Sequence, residues 1–294
     1  MTHMAERKAS RTAVLVCQGR AAANERLAVG RFSDRVAVHL LTAAERVPVE
    51  HVRAARKPSG FGEQLEYELL TATSEVMATR TVMIDDAVRD AAHPQLVILG
   101  AGLDARAWRM PELSGTAVFE VDHPASQQEK RERLTNLAPK AASVRFVPVD
   151  FAVDSLAEAL AEAGHDPDHP TTWIWEGVVP YLTPEEVADT VSKVARLSAP
   201  GSRLVITYGT PSRTASLGRK TVEALLALAR HPNPMAAEPN RSTWRPAQWQ
   251  ALLSGNGFGI TDDRDLLTVA RDLEVPSSQG KSLAVGRVLV ADRD

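Results

Sequence analysis

The chain is almost without cysteine: Cys17 stands alone among 294 residues. A single thiol excludes an intramolecular disulfide and a zinc site built on cysteines. Cys17 ends the apolar stretch Ala13-Val14-Leu15-Val16-Cys17 and reads as a small packed side chain rather than a catalytic thiol. Long apolar runs are missing as well. That stretch is too short to span a bilayer. It also lacks the longer apolar core and small-residue cleavage site of a signal peptide. The expectation is a cytoplasmic protein with no membrane partner. No excess of one charge is present either, since 34 Lys and Arg against 37 Asp and Glu leave a formal net charge of −3. Nothing in that balance signals a nucleic-acid-binding face, and the short basic clusters at 53–57 and 130–133 read as solvated surfaces. There is no internal repeat and no low-complexity tract. Ser155, Ser212 and Ser216 lie in no nucleophile elbow, so a hydrolase signature is absent. His165-Asp166-Pro167-Asp168-His169 has the residue types of a metal cluster. Its prolines forbid helical i,i+4 ligand placement, however, and it reads as a solvated loop.

What is present is ordinary for a folded globular chain, with 44% hydrophobic and 24% charged residues. The length suits one large α/β domain with additions, or two small ones. Residues 1–12 are polar. Residues 18–92 carry helical patterns: a helix opened by Phe32-Ser33-Asp34 with Asp34 as its cap, then one or two amphipathic helices over 62–92 after the break at Pro58-Ser59-Gly60. From residue 95 the pattern becomes strand–helix alternation. Strands are predicted at 95–100, 116–121, 143–149, 171–176 and 202–208, and helices at 104–110, 124–137, 153–163 and 184–199. Residues 209–245 interrupt the rhythm with a helix at 214–230 and a proline-bearing loop, an insertion placed to cover a substrate. A helix at 246–256 follows, and Phe258–Thr261 and Leu283–Val290 read as two closing strands at one sheet edge. The fold class is therefore α/β: a seven-stranded, mostly parallel Rossmann-like sheet with helices on both faces, an N-terminal helical extension (1–92) and a helical insertion after the fifth strand. The core unit is 93–294.

The stretch Gln95-Leu-Val-Ile-Leu-Gly-Ala-Gly-Leu-Asp104 carries the most chemistry. Gly100 and Gly102 at the end of a buried strand let a ligand approach the backbone, and Asp104 is placed to cap the next helix. Asp122 follows about 20 residues on, where Rossmann-like folds hold a ribose hydroxyl. A nucleoside-containing cofactor is implied. Gly100-Ala101-Gly102-Leu103-Asp104-Ala105 formally satisfies the dinucleotide fingerprint, which keeps an NAD(P)-dependent oxidoreductase as an alternative. Against it, Asp104 sets a negative side chain where a pyrophosphate wants N–H groups. Further acids, Asp150 and Glu176, end the next two strands, so carboxylates line one crevice. S-adenosyl-L-methionine suits that crevice, because its hydroxyl, amino and ammonium groups donate hydrogen bonds, it carries a sulfonium cation, and it has no phosphate. Glu176 follows Trp173-Ile174-Trp175, where an acid is expensive to bury without a partner. The two tryptophans read as core.

Leu99-Gly-Ala-Gly-Leu-Asp-Ala-Arg106, Phe119-Glu-Val-Asp-His-Pro124 and Glu176-Gly177 with Tyr181-Leu182 resemble the leucine carboxyl methyltransferase family, including its bacterial polyketide O-methyltransferase branch. The resemblance runs from about residue 20 to about 260. It implies a class I methyltransferase fold and S-adenosyl-L-methionine as methyl donor, with S-adenosyl-L-homocysteine as product. It further implies that Arg80 holds the methionine carboxylate, a fit for a guanidinium fork. Gly100 then lies along the methionine portion, Asp122 accepts from the ribose, Asp150 with the Phe151 backbone holds the adenine, and Glu176 meets the methionine ammonium. The family's amino-terminal lysine has no counterpart in Asn24-Glu25-Arg26-Leu27-Ala28, where Arg26 is the substitute cation. The expected reaction is O-methylation of a carboxylate or hydroxyl on a small molecule. Tyr181 and Tyr208 fall near the reacting end, and no general base is identifiable. A protein that binds the cofactor without catalysis is the remaining alternative.

Overall fold

The computed structural model describes residues 11–151, 153–212, 225, 240–277 and 280–294. Apart from residue 225, the predicted helix at 214–230 and most of the loop after it lie outside them. Seven strands form one sheet in the order β3-β2-β1-β4-β5-β7-β6. They are β1 (Gln95–Leu99), β2 (Ala117–Asp122), β3 (Ser143–Pro148), β4 (Thr171–Trp175), β5 (Arg203–Gly209), β6 (Phe258–Asp265) and β7 (Gly286–Arg293). Strands β1 to β5 pair in parallel, and β7 runs antiparallel to both β5 and β6. The first three strands step outward from β1 to β3. The chain then crosses to the other side of β1 as β4. That reversal puts a crevice outside the carboxyl ends of β1 and β4, the place where open α/β sheets bind ligands.

Alternate residues of each strand face opposite layers. Leu96 and Ile98 of β1, with Val118, Ile174 and Val205, face a core shared with the N-terminal helices. These are α1 (Arg11–Ala23), α2 (Ala43–Arg53) and α3 (Phe61–Ala91). Val97, Leu99, Phe119, Trp173, Trp175 and Ile206 face the other core. It is covered by α6 (Leu156–Glu162), α7 (Pro184–Arg196) and α8 (Pro246–Ser254); the described residues also form α4 (Arg106–Arg109), α5 (Pro124–Arg133), α9 (Leu266–Asp272) and α10 (Gly280–Val285). Trp173 and Trp175 are core, as expected. The one or two helices expected over 62–92 are a single helix, α3, which ends at Ala91. Thr42 and Glu45 close a capping box on α2, as Thr183 and Glu186 do on α7, each satisfying backbone N–H groups that a helix start leaves free.

Three local expectations change, and one, at Asp104, holds. Asp34 opens a 3-10 turn (Ala37–Leu40), not a helix. Only seven residues separate it from the Thr42 cap of α2, which leaves no room for more. Asp104 accepts the first backbone N–H of α4, from Arg106 at 2.7 Å, although the N-cap position itself is Ala105; its other oxygen is engaged by the Arg106 guanidinium. The strand β6 runs past Thr261 to Asp265, with a bulge at Ile260/Asp262. Its polar second half hides it in the sequence, as befits an edge strand. Finally, β7 begins at Gly286 rather than Leu283, because its ladder partner β5 ends at Gly209, opposite Gly286. Residues 280–285 form α10 instead, which buries Leu283.

One buried ion pair supports β2 from below the crevice. Lys130 Nζ on α5 lies 2.6 Å from Glu120 Oε2, both side chains being almost wholly buried, and the ammonium sits over the Trp108 ring. Burial pushes the Glu120 carboxyl up from 4.5 to about 7 against the pull of Lys130. Folded Glu120 thus binds its proton more tightly than the unfolded chain does. The resulting stability is fully present below pH 4.5 and is lost as pH rises to about 7. Urea unfolding across that interval is expected to show a shallower decline of stability with pH in E120Q than in the wild type; equal slopes would refute the assignment.

Candidate functional site

A cleft of about 340 Å³ opens at the carboxyl ends of the central strands. Arg80, Gly100, Gly102, Asp122, Asp150, Phe151 and Glu176, the residues singled out from the sequence, all line it. They come from α3, the β1–α4 loop, the end of β2, the segment after β3 and the end of β4. The wall facing the sheet is α1, through Thr12, Ala13, Val16 and Arg20.

The glycine loop is shaped by close approach. Gly100 has φ +67°, a backbone conformation that side chains resist. A Cβ built on it would lie 2.5 Å from Val178 Cγ2. Gly102, at φ +47°, donates its N–H to Asp122 Oδ2 at 2.6 Å. The N–H groups of Gly100 and Ala101 donate to the Val121 carbonyl. The donors that a dinucleotide loop turns toward a pyrophosphate are therefore spent within the protein here, and an acid stands beside them.

Asp122 also accepts from His123 N at 2.7 Å. Burial raises its pKa, and the two backbone N–H groups oppose that rise. Asp122 caps no helix: His123 Nδ1 takes that place on α5. Nor does Asp150, since Ser155 caps α6 and Asp150 donates its own N–H to the Asp154 carboxylate. The ring of Phe151 is 47% exposed at the rim.

At the other end of the cleft, Glu176 is bound by three guanidiniums. Arg20 Nη2 donates to Oε1 at 2.7 Å, Arg80 Nε to the same oxygen at 2.8 Å, and Arg106 Nη1 to Oε2 at 2.8 Å. Burial alone would raise the Glu176 pKa; Arg20, Arg80 and Arg106 overcome it and hold the carboxyl well below its usual range. Asp104 is likewise held ionised, burial being outweighed by Arg106 and Arg20. Burial lowers the Arg80 pKa, with Glu176 opposing. The cluster continues away from the cleft. Arg106 Nε donates to Asp85 at 2.9 Å, Arg109 reaches Asp85 at 2.7 Å, and Arg109 lies 3.4 Å from Asp34. Four arginines (20, 80, 106, 109) thus meet four acids (34, 85, 104, 176) in one buried set.

Arg20 is the cleft residue that sequence reading missed. The signal was an arginine inside the small-residue run Gly19-Arg20-Ala21-Ala22-Ala23, too apolar a setting for a solvated cation. Arg26 is not the substitute cation: it donates to Ala22 O on its own turn and lies outside the cleft lining. Tyr181 lines the cleft, whereas Tyr208 is buried, donating to Asp263 at 2.8 Å with its ring against Trp249. In the 165–169 loop, His165 contacts Thr171 Oγ1, and Asp166 accepts from Asp168 N. Among the described residues no group of His, Cys, Asp and Glu is arranged to hold a metal, and no helix is long and apolar enough to cross a membrane.

A parallel sheet of order 3-2-1-4-5, extended by an antiparallel strand inserted before the last one and carrying a cleft at its switch point, is the class I methyltransferase fold. Across nearly their full lengths, two solved structures share it. One is a DUF574 family protein of Streptomyces avermitilis (TM-score 0.59, 12% identity, 97% of this chain and 98% of that one). The other is a protein of Thermobifida fusca provisionally named a methyltransferase (TM-score 0.54, 15% identity, 98% and 96%). At such identities the likeness is one of fold alone. Residues 13–195 match the leucine carboxyl methyltransferase family, and the chain belongs to that family. It is 39% identical over 164 residues to a protein of Mycobacterium sp. strain JLS, covering 55% of this chain and 54% of that one. It is 46% identical over 143 residues to a protein of Mycolicibacterium smegmatis, covering 47% of each. Both relatives are provisionally named S-adenosyl-L-methionine-dependent methyltransferases. The chain spans about half the length of the curated relatives it matches.

A side chain at residue 100 would combine positive-φ strain of about 1–2 kcal/mol with the Val178 contact. G100A is expected to unfold at lower urea, with a loss of roughly 1–3 kcal/mol; wild-type stability would show that the loop has room to spare.

Proposed function

We propose that the protein transfers the methyl group of S-adenosyl-L-methionine to an oxygen, a carboxylate or hydroxyl, of a small molecule. The observation that carries this reading is the division of one cleft into two chemistries. At one end are guanidiniums sharing a carboxylate; at the other are hydrogen-bond-accepting acids. Arg20 and Arg80 would hold the cofactor's carboxylate and Glu176 its ammonium. The Nε of Arg20 is buried without a hydrogen-bond partner among the described residues, a donor the ion-pair network leaves over. Because the buried charges balance, a zwitterionic head exchanges ion pairs without leaving net charge in the core. Asp122 would accept from the ribose hydroxyls, and Asp150 with Phe151 would hold the adenine. The glycine loop, with its N–H groups spent on Val121 and Asp122, favours a nucleoside that carries no phosphate. NAD(P) would find an acid where its pyrophosphate needs donors.

The cofactor supplies a methyl group already activated on sulfur. The protein's contribution is then alignment of the acceptor, and in-line preorganisation supplies about 7–11 kcal/mol in favourable cases. A carboxylate acceptor needs no general base, and the family's carboxyl chemistry supports oxygen as the accepting atom. The absence of the family's lysine from 24–28 supports a small molecule over a protein carboxylate. The N-terminal helices 11–91 serve as one wall of the site through α1. The insertion after β5 leaves and returns beside it: Arg241 N donates to Pro180 O and Trp244 N to Gly209 O, which suits a cover over the acceptor. The lone cysteine, buried and donating to Ala37 O, fits a cytoplasmic setting.

Differential scanning fluorimetry with S-adenosyl-L-methionine, S-adenosyl-L-homocysteine, NAD and NADP tests the reading. Either adenosyl ligand at 100 times its Kd is expected to add about 2.7 kcal/mol of apparent stability, and the nicotinamide cofactors none. R80A and D122A are each expected to weaken that binding by roughly 10–100-fold. A response to NAD alone would replace methyl transfer by hydride transfer. Labelled methyl transfer to a panel of carboxylates and phenols then identifies the acceptor class.

A further inference from the structure

Arg106 ends the motif Leu103-Asp104-Ala105-Arg106, yet it is not part of the cleft wall. Its side chain is wholly buried. It holds instead two residues that do line the cleft, Asp104 and Glu176. Its Nη1 pairs with Asp104 Oδ2 and donates to Glu176 Oε2 at 2.8 Å. Its Nε donates to Asp85 Oδ1 at 2.9 Å, and its backbone N–H to Asp104 Oδ1 at 2.7 Å. The division of labour at Glu176 is clear: Oε2 is turned inward to Arg106, while Oε1 is met by the cleft arginines 20 and 80.

We propose that Arg106 is a positioning residue for recognition of an α-amino-acid head in the cleft, a role that rests on the S-adenosyl reading above. By fixing Oε2 it leaves Oε1 as the oxygen presented to the cleft. By its charge it keeps Glu176 ionised when Arg20 and Arg80 turn to a ligand carboxylate. A rigid planar fork can meet carboxylates from α3, the β1–α4 loop and the end of β4 at once, and an ammonium on a flexible stem cannot. Asp85, gripped from its other side by Arg109 at 2.7 Å, holds the fork in register.

The test compares the wild type with Arg106→Lys and Arg106→Gln by calorimetric titration. One ligand is S-adenosyl-L-homocysteine. The other is 5′-methylthioadenosine, which keeps the adenosine and the thioether but has no amino-acid head. Affinity for S-adenosyl-L-homocysteine is expected to fall about tenfold in R106K and further in R106Q. Affinity for methylthioadenosine in R106K stays within about twofold of the wild type, since ΔΔG values at distant sites are nearly independent. An equal fall for both ligands would mean a general structural role and overturn the proposal; so would an unchanged affinity for S-adenosyl-L-homocysteine. The lysine variant keeps a cation among the carboxylates, so the comparison stands even where R106Q does not fold. Wild-type protein that binds neither ligand overturns the S-adenosyl reading itself, and that result is visible before any variant is made.

Discussion

A carboxylate at the end of a buried strand stays ionised only when cations come to it, and in this protein three do. Glu176 is therefore the point on which the molecule is assembled. Removing charges from water is costly, and their mutual attraction repays the cost only with good geometry and further hydrogen bonds. Here the partners arrive from α1, α3, the loop after β1, α4 and the end of β4, and the set of four arginines and four acids closes on itself. Loss of any one member leaves an uncompensated buried charge, which costs far more than a surface pair would. The cluster also explains why the N-terminal helices belong to the same structure as the sheet. Arg20 ties α1 to β4, while Asp34 and Asp85 tie the following loop and α3 to α4 through Arg109 and Arg106.

The same economy governs the glycine loop. Its N–H groups look inward, to Val121 O and to Asp122. This converts a loop that formally spells a dinucleotide fingerprint into one that offers acceptors. The sequence pattern is shared by two cofactor classes; where the N–H groups of Gly100, Ala101 and Gly102 point is not written in it. The cleft thus has two unlike ends, one set by charge at Glu176 and the other by acceptor oxygens at Asp122.

Much of this was legible from the residues. The apolar runs of β1, β2 and β4 announce parallel strands covered on both faces, and parallel topology gathers the residues at their carboxyl ends. That is why Asp122, Asp150 and Glu176 fall around one cleft although up to 54 positions separate them. What stayed hidden has a common cause: it depends on partners distant in sequence. Arg20 finds Glu176 across 156 positions, and no local pattern announces such a contact. Asp104 accepts the first N–H of α4, as the local rule of capping says, but its second task, pairing with the guanidinium two residues on, is not written in that rule. Arg264 and Asp265 are strand residues only because β7 lies beside them. Residues 283–285 are helical, although their apolar character equally suits a strand, because the ladder they would have joined has already ended.

Where the chain returns from the insertion, the main-chain carbonyls of Gly209 and Pro180 accept from the backbone N–H groups of Trp244 and Arg241. Carbonyls are indifferent to side-chain identity. These hydrogen bonds therefore hold whatever side chains the stretch between β5 and residue 240 carries. Under the methyl transfer proposed above, a rewritten loop would change the acceptor while Glu176 and its arginines stay as they are.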